Sequence, residues 1–235
     1  MTVPSNSGGQ TGDRVIRHHL VDRIYHWTMA ASVLTLMGTA FIPIMGWWKF
    51  EWVMIHWIAG FVLTFAVIIH IVRALFCQDL SSMMMWPRDI MDALRSVARF
   101  LGSKAPAPAL PGKYQLLQKA YHWGIALVIF AVIVTGAMMF AKIDTPWWRR
   151  NPYIWGMTDR DWGMVYAVHG LAAMAAISLV LIHIYFAIRP EKLWITRSML
   201  RGWITRKEYR DHHDPSRWAV DGASPAPAGQ RQAAE

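Results

Sequence analysis

The chain is predicted to be an all-α membrane protein, folded as a bundle of four transmembrane helices. Two observations support this fold class. Hydrophobic residues make up 54% of its 235 residues, which is high for an ordinary soluble domain. Four apolar stretches are each long enough to cross a bilayer. Backbone N–H and C=O groups in lipid must be satisfied within the segment, so each stretch is expected to be a helix.

The four stretches define the domain organisation. They cover Tyr25–Ile44, Val53–Phe76, Ala120–Ala141 and Gly163–Ile188. We therefore expect an N-terminal arm over 1–24, a transmembrane domain over 25–190 and a C-terminal segment over 191–218. Residues 219–235 are rich in Ala, Pro and Gly, a composition typical of a disordered tail.

The distribution of basic residues predicts the topology. The N-terminal arm holds three Lys and Arg residues, the end of the second stretch with the connection to the third holds seven, and the region from Arg189 onward holds nine, so one side has 19 of the 24. The positive-inside rule places both termini and that connection in the cytoplasm. The net charge of +9 then reflects topology and contact with membrane lipids, and no nucleic-acid partner is expected. The polar first dozen residues indicate no cleaved signal peptide.

The single cysteine restricts the redox chemistry. Cys77 is the only thiol, whereas iron–sulfur clusters and structural zinc sites need several, and covalently bound haem needs a C-x-x-C-H motif. Any redox centre in this chain therefore needs other ligands.

Histidine is the candidate ligand. His169 and His183 are fourteen residues apart in the last stretch, with no charged residue between them. On a helix this spacing is a rise of about 21 Å and nearly four turns, so both side chains leave one face at opposite depths of the bilayer. Imidazole within a membrane span is usually functional, and its neutral nitrogen suits a haem iron. The spacing predicts two metal centres, one per leaflet.

Chain direction sorts the remaining histidines by depth. Near the outer face lie only His56 and His169, so an outer haem has one possible ligand pair. An inner haem would take His183 with one of three others, which are His26, His70 and His122. Spacing alone does not choose among them. His56 and His70 repeat the fourteen-residue interval, and a histidine beside Trp, as at His26 and His122, is also common in an aromatic belt.

Several motifs resemble one known family. These are Val21-Asp-Arg-Ile-Tyr-His26-Trp, Ile55-His56-Trp-Ile-Ala-Gly60-Phe, Gly112-Lys-Tyr-Gln-Leu-Leu-Gln118-Lys, Val168-His169-Gly, Leu181-Ile-His183-Ile-Tyr and Asp211-His-His-Asp-Pro-Ser-Arg-Trp218. They are similar to the cytochrome b (gamma) subunit of respiratory, membrane-bound formate dehydrogenase. The wider superfamily includes the cytochrome b of nickel–iron hydrogenases and of related molybdenum enzymes. The resemblance covers about residues 14–218.

The resemblance implies the cofactors and their ligands. It implies two b haems, with His56 and His169 holding the outer one and His26 and His183 the inner one. It also implies a quinone site, for menaquinone or ubiquinone, beside the inner haem and His183. The matching quinone residues are Gly112, Lys113, Tyr114, Gln115 and Gln118, with Lys119 after them. Amide and phenol groups can hydrogen-bond a quinone carbonyl.

The resemblance also implies the partners and the location. An iron–sulfur (beta) subunit would link the chain to a molybdenum or tungsten catalytic (alpha) subunit, since the chain has no substrate-oxidising site of its own. The aromatic loop Asp144–Trp162 is the expected docking surface. The location would be the bacterial inner membrane. Two alternatives remain, a cytochrome subunit of hydrogenase or another molybdenum enzyme, and a stand-alone cytochrome b561-like carrier with His56, His70, His169 and His183 as ligands.

Overall fold

The computed structural model describes residues 13–46, 48–77, 80–104 and 106–220. These residues form two compact units. The first, the bundle unit, comprises Val21–Gln78 and Tyr121–Ile188. The second, the peripheral unit, comprises the described parts of Met1–Leu20, Asp79–Ala120 and Arg189–Glu235. All but two residues of the tail expected over 219–235 lie outside the described residues.

Four long helices dominate the described part of the chain, and they confirm the predicted fold class. They are α1 (Leu20–Met45), α2 (Trp52–Cys77), α4 (Leu116–Phe140) and α5 (Asp159–Ile188). Their lengths are 26, 26, 25 and 30 residues, and about 20 apolar residues suffice to cross a bilayer. Each has the length and composition of a membrane span. The chain is a multi-pass membrane protein.

Three of the four helices begin several residues before the apolar stretch that predicted them. Leu20, Leu116 and Asp159 precede Tyr25, Ala120 and Gly163, respectively. Polar residues at a helix end still complete the backbone hydrogen bonds, so the helix extends beyond the apolar segment. Helix α1 ends where Gly46, at φ 67°, donates its N–H to the Pro43 carbonyl at 3.1 Å. Glycine adopts this left-handed backbone at low cost.

The bundle unit has large apolar side chains on its outside. Phe65, Leu127, Phe130 and Leu171 are all exposed, as expected for helices whose outer face meets lipid. Inside, many of the buried residues are small or polar, such as Ala59, Ala66 and Ala176, although Leu63 and Trp162 are also buried. Small interior residues allow helices to approach closely or to accommodate a flat group between them.

An aromatic cluster packs α2 against α4 in the half of the bundle that contains His56. Trp57 and Phe61 on α2 both meet Phe140 on α4 edge to face, with ring centroids 5.9 and 5.2 Å apart. Trp147, in the loop after α4, meets Trp57 at 5.6 Å. Edge-to-face pairs of this kind add about 0.5–1.5 kcal/mol each beyond the buried area.

The peripheral unit is built around a short antiparallel ribbon that the sequence did not predict. Strand β1 (Arg14–Ile16) pairs with β2 (Trp203–Thr205), with Val15 opposite Ile204. Helix α6 (Leu193–Arg201) precedes β2, and α7 (Arg206–His212) follows it. Val15, Ile204 and Tyr209 form a small buried core. Thr205 and Glu208 form a capping box at the start of α7, which satisfies two orphan N–H groups.

The remaining α-helix of the peripheral unit, α3 (Pro87–Phe100), is amphipathic. Its two acidic residues form ion pairs within the unit. Asp89 Oδ2 lies 2.8 Å from Lys119 Nζ, and Asp92 Oδ2 lies 2.6 Å from Arg217 Nη1. Both pairs are largely buried, where removing one partner leaves a costly unpaired charge.

Candidate functional site

Six histidines of the bundle unit form three pairs across helices. His56 on α2 faces His169 on α5, with ring centroids 6.5 Å apart. His26 on α1 faces His183 on α5 at 6.2 Å. His70 on α2 faces His122 on α4 at 6.1 Å. We call the end with His56 and His169 the two-histidine end, and the end with the other four the four-histidine end.

The separations fit two imidazoles on opposite sides of one metal ion. An imidazole nitrogen binds a metal at about 2 Å, so two trans rings have centroids about 6 Å apart. Among the described residues, no group of three or more His, Cys, Asp or Glu could hold a metal ion. The porphyrin of a haem supplies iron ligands of its own, so two histidines would be enough to hold one. A pair of histidines at this separation would therefore suit a haem.

At the two-histidine end, threonines fix which nitrogen of each ring carries hydrogen. Thr39 Oγ1 lies 2.9 Å from the Thr35 carbonyl and 2.8 Å from His56 Nδ1. The hydroxyl has one proton, which it donates to the carbonyl one turn back, so it accepts from His56 Nδ1–H. His56 Nε2 is then left with a free lone pair, as an axial ligand requires.

The partner ring is held in the same way. Thr135 Oγ1 on α4 donates to the Ala131 carbonyl at 2.6 Å and accepts from His169 Nδ1–H at 2.8 Å. The next residue, Gly136, lies under this ring, and a Cβ there would meet His169 Cε1 at 3.5 Å. Both threonines are buried. The sequence reasoning missed them, although an isolated hydroxyl beside a glycine in an apolar span is a usable signal.

Among the described residues, no hydroxyl group accepts a hydrogen bond from a histidine ring at the four-histidine end. His26 Nδ1 is buried and has no hydrogen-bond partner among the described residues. The ring of His183 stacks on Tyr121, with centroids 5.4 Å apart and planes 19° apart. The Tyr121 hydroxyl in turn donates to the Leu179 carbonyl at 3.3 Å. His183 is therefore oriented by a stacked ring, whereas His56 and His169 are oriented by hydroxyl acceptors.

The second pair at this end lies close to an ion pair. Arg73 Nη2, three residues after His70, donates to Asp22 Oδ1 at 2.9 Å, and both side chains are partly buried. At this end, His70 lies opposite His122 and His183 lies opposite His26.

The predicted quinone segment lies in the peripheral unit, where its backbone is held by both ends of the chain. The Gly112 carbonyl accepts from His213 Nδ1–H at 2.7 Å, and the Lys113 carbonyl accepts from Arg17 Nη2 at 2.8 Å. At the start of α4, Gln118 Oε1 accepts from the Gln115 N–H at 3.0 Å. The side chain of Gln118 therefore caps the helix.

Arg17 is the centre of this arrangement. It is 2% exposed, and its guanidinium lies over the rings of Tyr114, Trp194 and Trp218 at 5.8, 5.4 and 5.6 Å. Burial lowers its pKa from the ordinary value to about 10, against the opposing effect of Tyr114. The group stays charged at neutral pH, and the aromatic faces and hydrogen bonds compensate for its lost hydration.

Lys119 is committed to a structural role. Its Nζ donates to Asp89 Oδ2 at 2.8 Å and to the Met84 carbonyl at 3.0 Å, and the residue is buried. Burial acts most strongly on Asp89 and would raise its pKa, but the bonds from Lys119 and Trp86 prevail and the pKa is lowered. The ammonium group of Lys119 is therefore paired with a carboxylate of the same unit.

Comparison with protein families identifies the family of the chain. Residues 17–202 match the model of prokaryotic cytochrome b561, a span that includes all six paired histidines. The chain belongs to the prokaryotic cytochrome b561 family. A cytochrome b binds haem b, and the family therefore implies this cofactor. The family assignment confirms the resemblance drawn from the motifs.

Curated relatives of this cytochrome b cover most of its length. The cytochrome b556 subunit of formate dehydrogenase from Haemophilus influenzae is 24% identical over an alignment of 227 positions, which covers 87% of this chain and 82% of that protein. The cytochrome b556(Fdn) subunit of nitrate-inducible formate dehydrogenase from Escherichia coli is 24% identical over an alignment of 216 positions, which covers 87% of this chain and 89% of that protein.

Proposed function

We propose that the chain is the dihaem cytochrome b subunit of a formate dehydrogenase and carries electrons from an iron–sulfur subunit across the membrane to quinone. The observation that carries the proposal is the position of two histidine pairs at opposite ends of the bundle unit, 6.5 and 6.2 Å between ring centroids. Haem b, held between each pair, supplies reversible one-electron transfer. The proposed substrate of the whole complex, formate, is taken from the names of the relatives.

His169 and His183 both lie on α5, fourteen residues apart. Their helix sets the two sites at a rise of about 21 Å, so the bundle holds one site in each half of a bilayer. His56 completes the first site and His26 the second. The pairing of His26 with His183 supports the ligand set that the family resemblance implied. It does not favour the stand-alone carrier, in which His70 would be a ligand, because the ring of His70 faces His122.

The quinone site of the proposal comprises Gly112, Lys113, Tyr114, Gln115 and Gln118. Amide and phenol groups here can donate hydrogen bonds to a quinone carbonyl. The backbone of the segment is fixed by Arg17 and His213, and a fixed backbone keeps such donors in place. Because the Gln118 side chain already accepts from the Gln115 N–H, it offers its NH₂ group to a ligand. Menaquinone and ubiquinone both present the carbonyl that this chemistry needs.

The proposed partners are an iron–sulfur subunit and, through it, a molybdenum or tungsten catalytic subunit. The loop between α4 and α5 supports this part of the proposal, because Trp147, Tyr153 and Trp155 are all strongly exposed. Exposed aromatic residues of this kind are enriched at protein interfaces. The loop belongs to the two-histidine end, where electrons would enter.

The proposed location is the bacterial inner membrane, with both termini cytoplasmic. The support is the 19 of 24 basic residues on one side of the predicted spans. Electrons that enter at the two-histidine end then move toward a negative interior. Each stores about 2.3 kcal/mol per 100 mV of membrane potential. Charge separation is the expected output of the complex.

A reduction experiment on purified membranes tests the function. The tagged chain is extracted in mild detergent with its partners, and the b-type absorbance is followed after addition of formate or of hydrogen. Formate is expected to reduce the haems, and a quinone analogue to reoxidise them. Reduction by hydrogen alone would reassign the chain to a hydrogenase. A preparation with no b-type absorbance would refute the haem proposal itself.

A further inference from the structure

The two ends of the bundle unit differ in what surrounds their histidines. At the two-histidine end, each ring donates its Nδ1–H to a buried threonine hydroxyl 2.8 Å away. At the four-histidine end, His26 Nδ1 has no partner among the described residues. For His183 the described neighbours provide a stacked tyrosine but no hydrogen bond. The asymmetry applies to both members of each pair.

A hydrogen bond from the second ring nitrogen strengthens imidazole as a ligand. It makes the coordinating nitrogen more basic and stabilises the more highly charged, oxidised metal. The same hydrogen bonding is one of the means by which a protein sets a haem potential. A site with two such bonds has a lower reduction potential than an otherwise similar site without them.

We propose that Thr39 and Thr135 are positioning residues that lower the reduction potential of the haem between His56 and His169 below that of the haem between His26 and His183. This inference rests on the proposed function and extends it. Electrons that enter at the two-histidine end then move to a site of higher potential. That difference offsets part of the work of moving charge against the membrane potential.

The test is a redox titration of the purified complex with Thr39→Val and Thr135→Val. The midpoint potential of the two-histidine site is expected to shift upward in each variant and further in the double variant. The other midpoint should stay fixed. Haem affinity is expected to fall by about 10–100-fold, the usual effect of losing such a bond. Thr39→Ser and Thr135→Ser should restore the wild-type midpoint, because serine keeps the hydroxyl.

Thr64→Val is the matched control. Thr64 Oγ1 on α2 donates to the Gly60 carbonyl at 2.7 Å, the same i−4 bond, but no histidine contact is recorded for it among the described residues. An unshifted midpoint in the Thr39 and Thr135 variants, or an equal shift in Thr64→Val, would overturn the inference. If valine variants lose the haem altogether, retention in the serine variants supports the role, and loss there contradicts it. Absence of haem from the wild-type site would instead refute the proposed function.

A second, independent observation concerns the surface of α3. Ile90, Leu94, Val97 and Leu101 recur on one face of this helix at intervals of three and four residues, and all are exposed, Val97 by 55%. Asp89 and Asp92 are both paired within the peripheral unit. The remaining charged residues of the helix are Arg88, Arg95 and Arg99. The helix therefore combines an uncovered apolar face with arginines on the opposite, polar face.

We infer that this face of α3 lies in the headgroup region of a phospholipid bilayer. An amphipathic helix with basic residues on its polar face is typical of interfacial binding, and anionic headgroups attract the arginines. The haem sites play no part in this placement. It follows from the composition of the helix and from the chain being a membrane protein.

Site-specific fluorescence tests this placement. In a Cys77→Ala background, Val97→Cys and Ser96→Cys carry the same environment-sensitive label, and the full chain is reconstituted in nanodiscs with anionic phospholipid. Ser96 lies on the polar face and is the control. Lipids that carry a quencher near the headgroup should quench the Val97 label more strongly than the Ser96 label. Equal quenching, or protection of Val97 only when partner subunits are present, would overturn the inference.

Discussion

Arg17 Nη1 donates a hydrogen bond to His213 Nε2 over 2.8 Å, and the two residues are 196 positions apart in the chain. Arginine has only donors, so His213 must accept at Nε2 and donate from Nδ1 to the Gly112 carbonyl. The ring is therefore neutral. Burial lowers the pKa of His213 from 6.5 to about 4, the charge of Arg17 adds to this, and the bond to Gly112 opposes it.

Acid should weaken the peripheral unit through His213. Because the folded pKa lies below the ordinary value, the unfolded state binds more protons between pH 6.5 and pH 4. The contribution of His213 is complete above about pH 6.5 and is lost as the pH falls toward 4. We expect a loss of about 2 kcal/mol, after allowance for partial solvent screening. Thermal unfolding in detergent at pH 7 and pH 4.5 measures it.

His213→Gln is the control for that measurement. A glutamine side chain has both an acceptor for Arg17 and a donor for Gly112, but it does not titrate. The difference in thermal midpoint between the wild type and this variant should therefore change with pH. A constant difference from pH 7 to pH 4.5 would mean that protonation of His213 contributes nothing.

Replacement of Arg17 should disturb the Gly112–Tyr114 segment and leave the haem sites intact. Arg17→Met removes the donors to Lys113 and His213, and a buried acceptor left without a donor costs about 1–3 kcal/mol. We expect a lower thermal midpoint and slower reoxidation of haem by a quinone analogue, with an unchanged b-type spectrum. Arg14→Met is the control, because Arg14 lies three residues before Arg17, on strand β1, but packs over Trp203 at 4.2 Å. Equal effects of the two substitutions would argue against a specific role for Arg17.

The membrane spans and the pairing of His56 with His169 follow from the sequence for simple reasons. Span length is set by bilayer thickness, and chain direction leaves only these two histidines near one face. Depth could not select the partner of His183, since His26, His70 and His122 lie at the same end. That choice depends on which faces of α1, α2 and α4 pack inward. The sequence motifs pointed to His26, and the structure places that ring beside His183.

Other features depend on contacts between distant parts of the chain. The β1–β2 ribbon pairs Val15 with Ile204, and each strand is only three residues long, too short for alternation to reveal it. The bonds from Thr39 and Thr135 to histidine require the helices to be placed first. Lys119, predicted near the quinone, turned out to be paired with Asp89, which no local pattern indicates.

The ligand set should be separable by haem content. His26→Ala and His183→Ala are each expected to remove one of two haems, because each takes away an axial ligand of the same site. His70→Ala and His122→Ala should leave both haems in place, since this pair is not part of the proposed ligand set. The haem-to-polypeptide ratio, measured as the pyridine haemochrome on purified protein, gives the answer. Retention of both haems in His26→Ala together with loss in His70→Ala would support the stand-alone carrier instead.

Trp155 should contribute to partner binding although its backbone conformation is strained. Its φ is 59°, the only positive value among the described non-glycine residues, and its side chain is 65% exposed. A bulky residue in this region costs about 1 kcal/mol or more, and such strain is often associated with function. Trp155→Gly should therefore raise or preserve the thermal midpoint of the isolated subunit, while weakening its association with the iron–sulfur subunit.

Tyr153→Gly is the matched substitution for this test. Tyr153 is 82% exposed in the same loop but has an ordinary φ of −97°, so glycine there relieves no strain and only adds chain entropy to the unfolded state. The thermal midpoint should fall slightly in Tyr153→Gly and should not fall in Trp155→Gly. Binding is measured by titrating labelled iron–sulfur subunit onto each variant in nanodiscs. Undiminished affinity in Trp155→Gly would show that this aromatic side chain is not part of the docking surface.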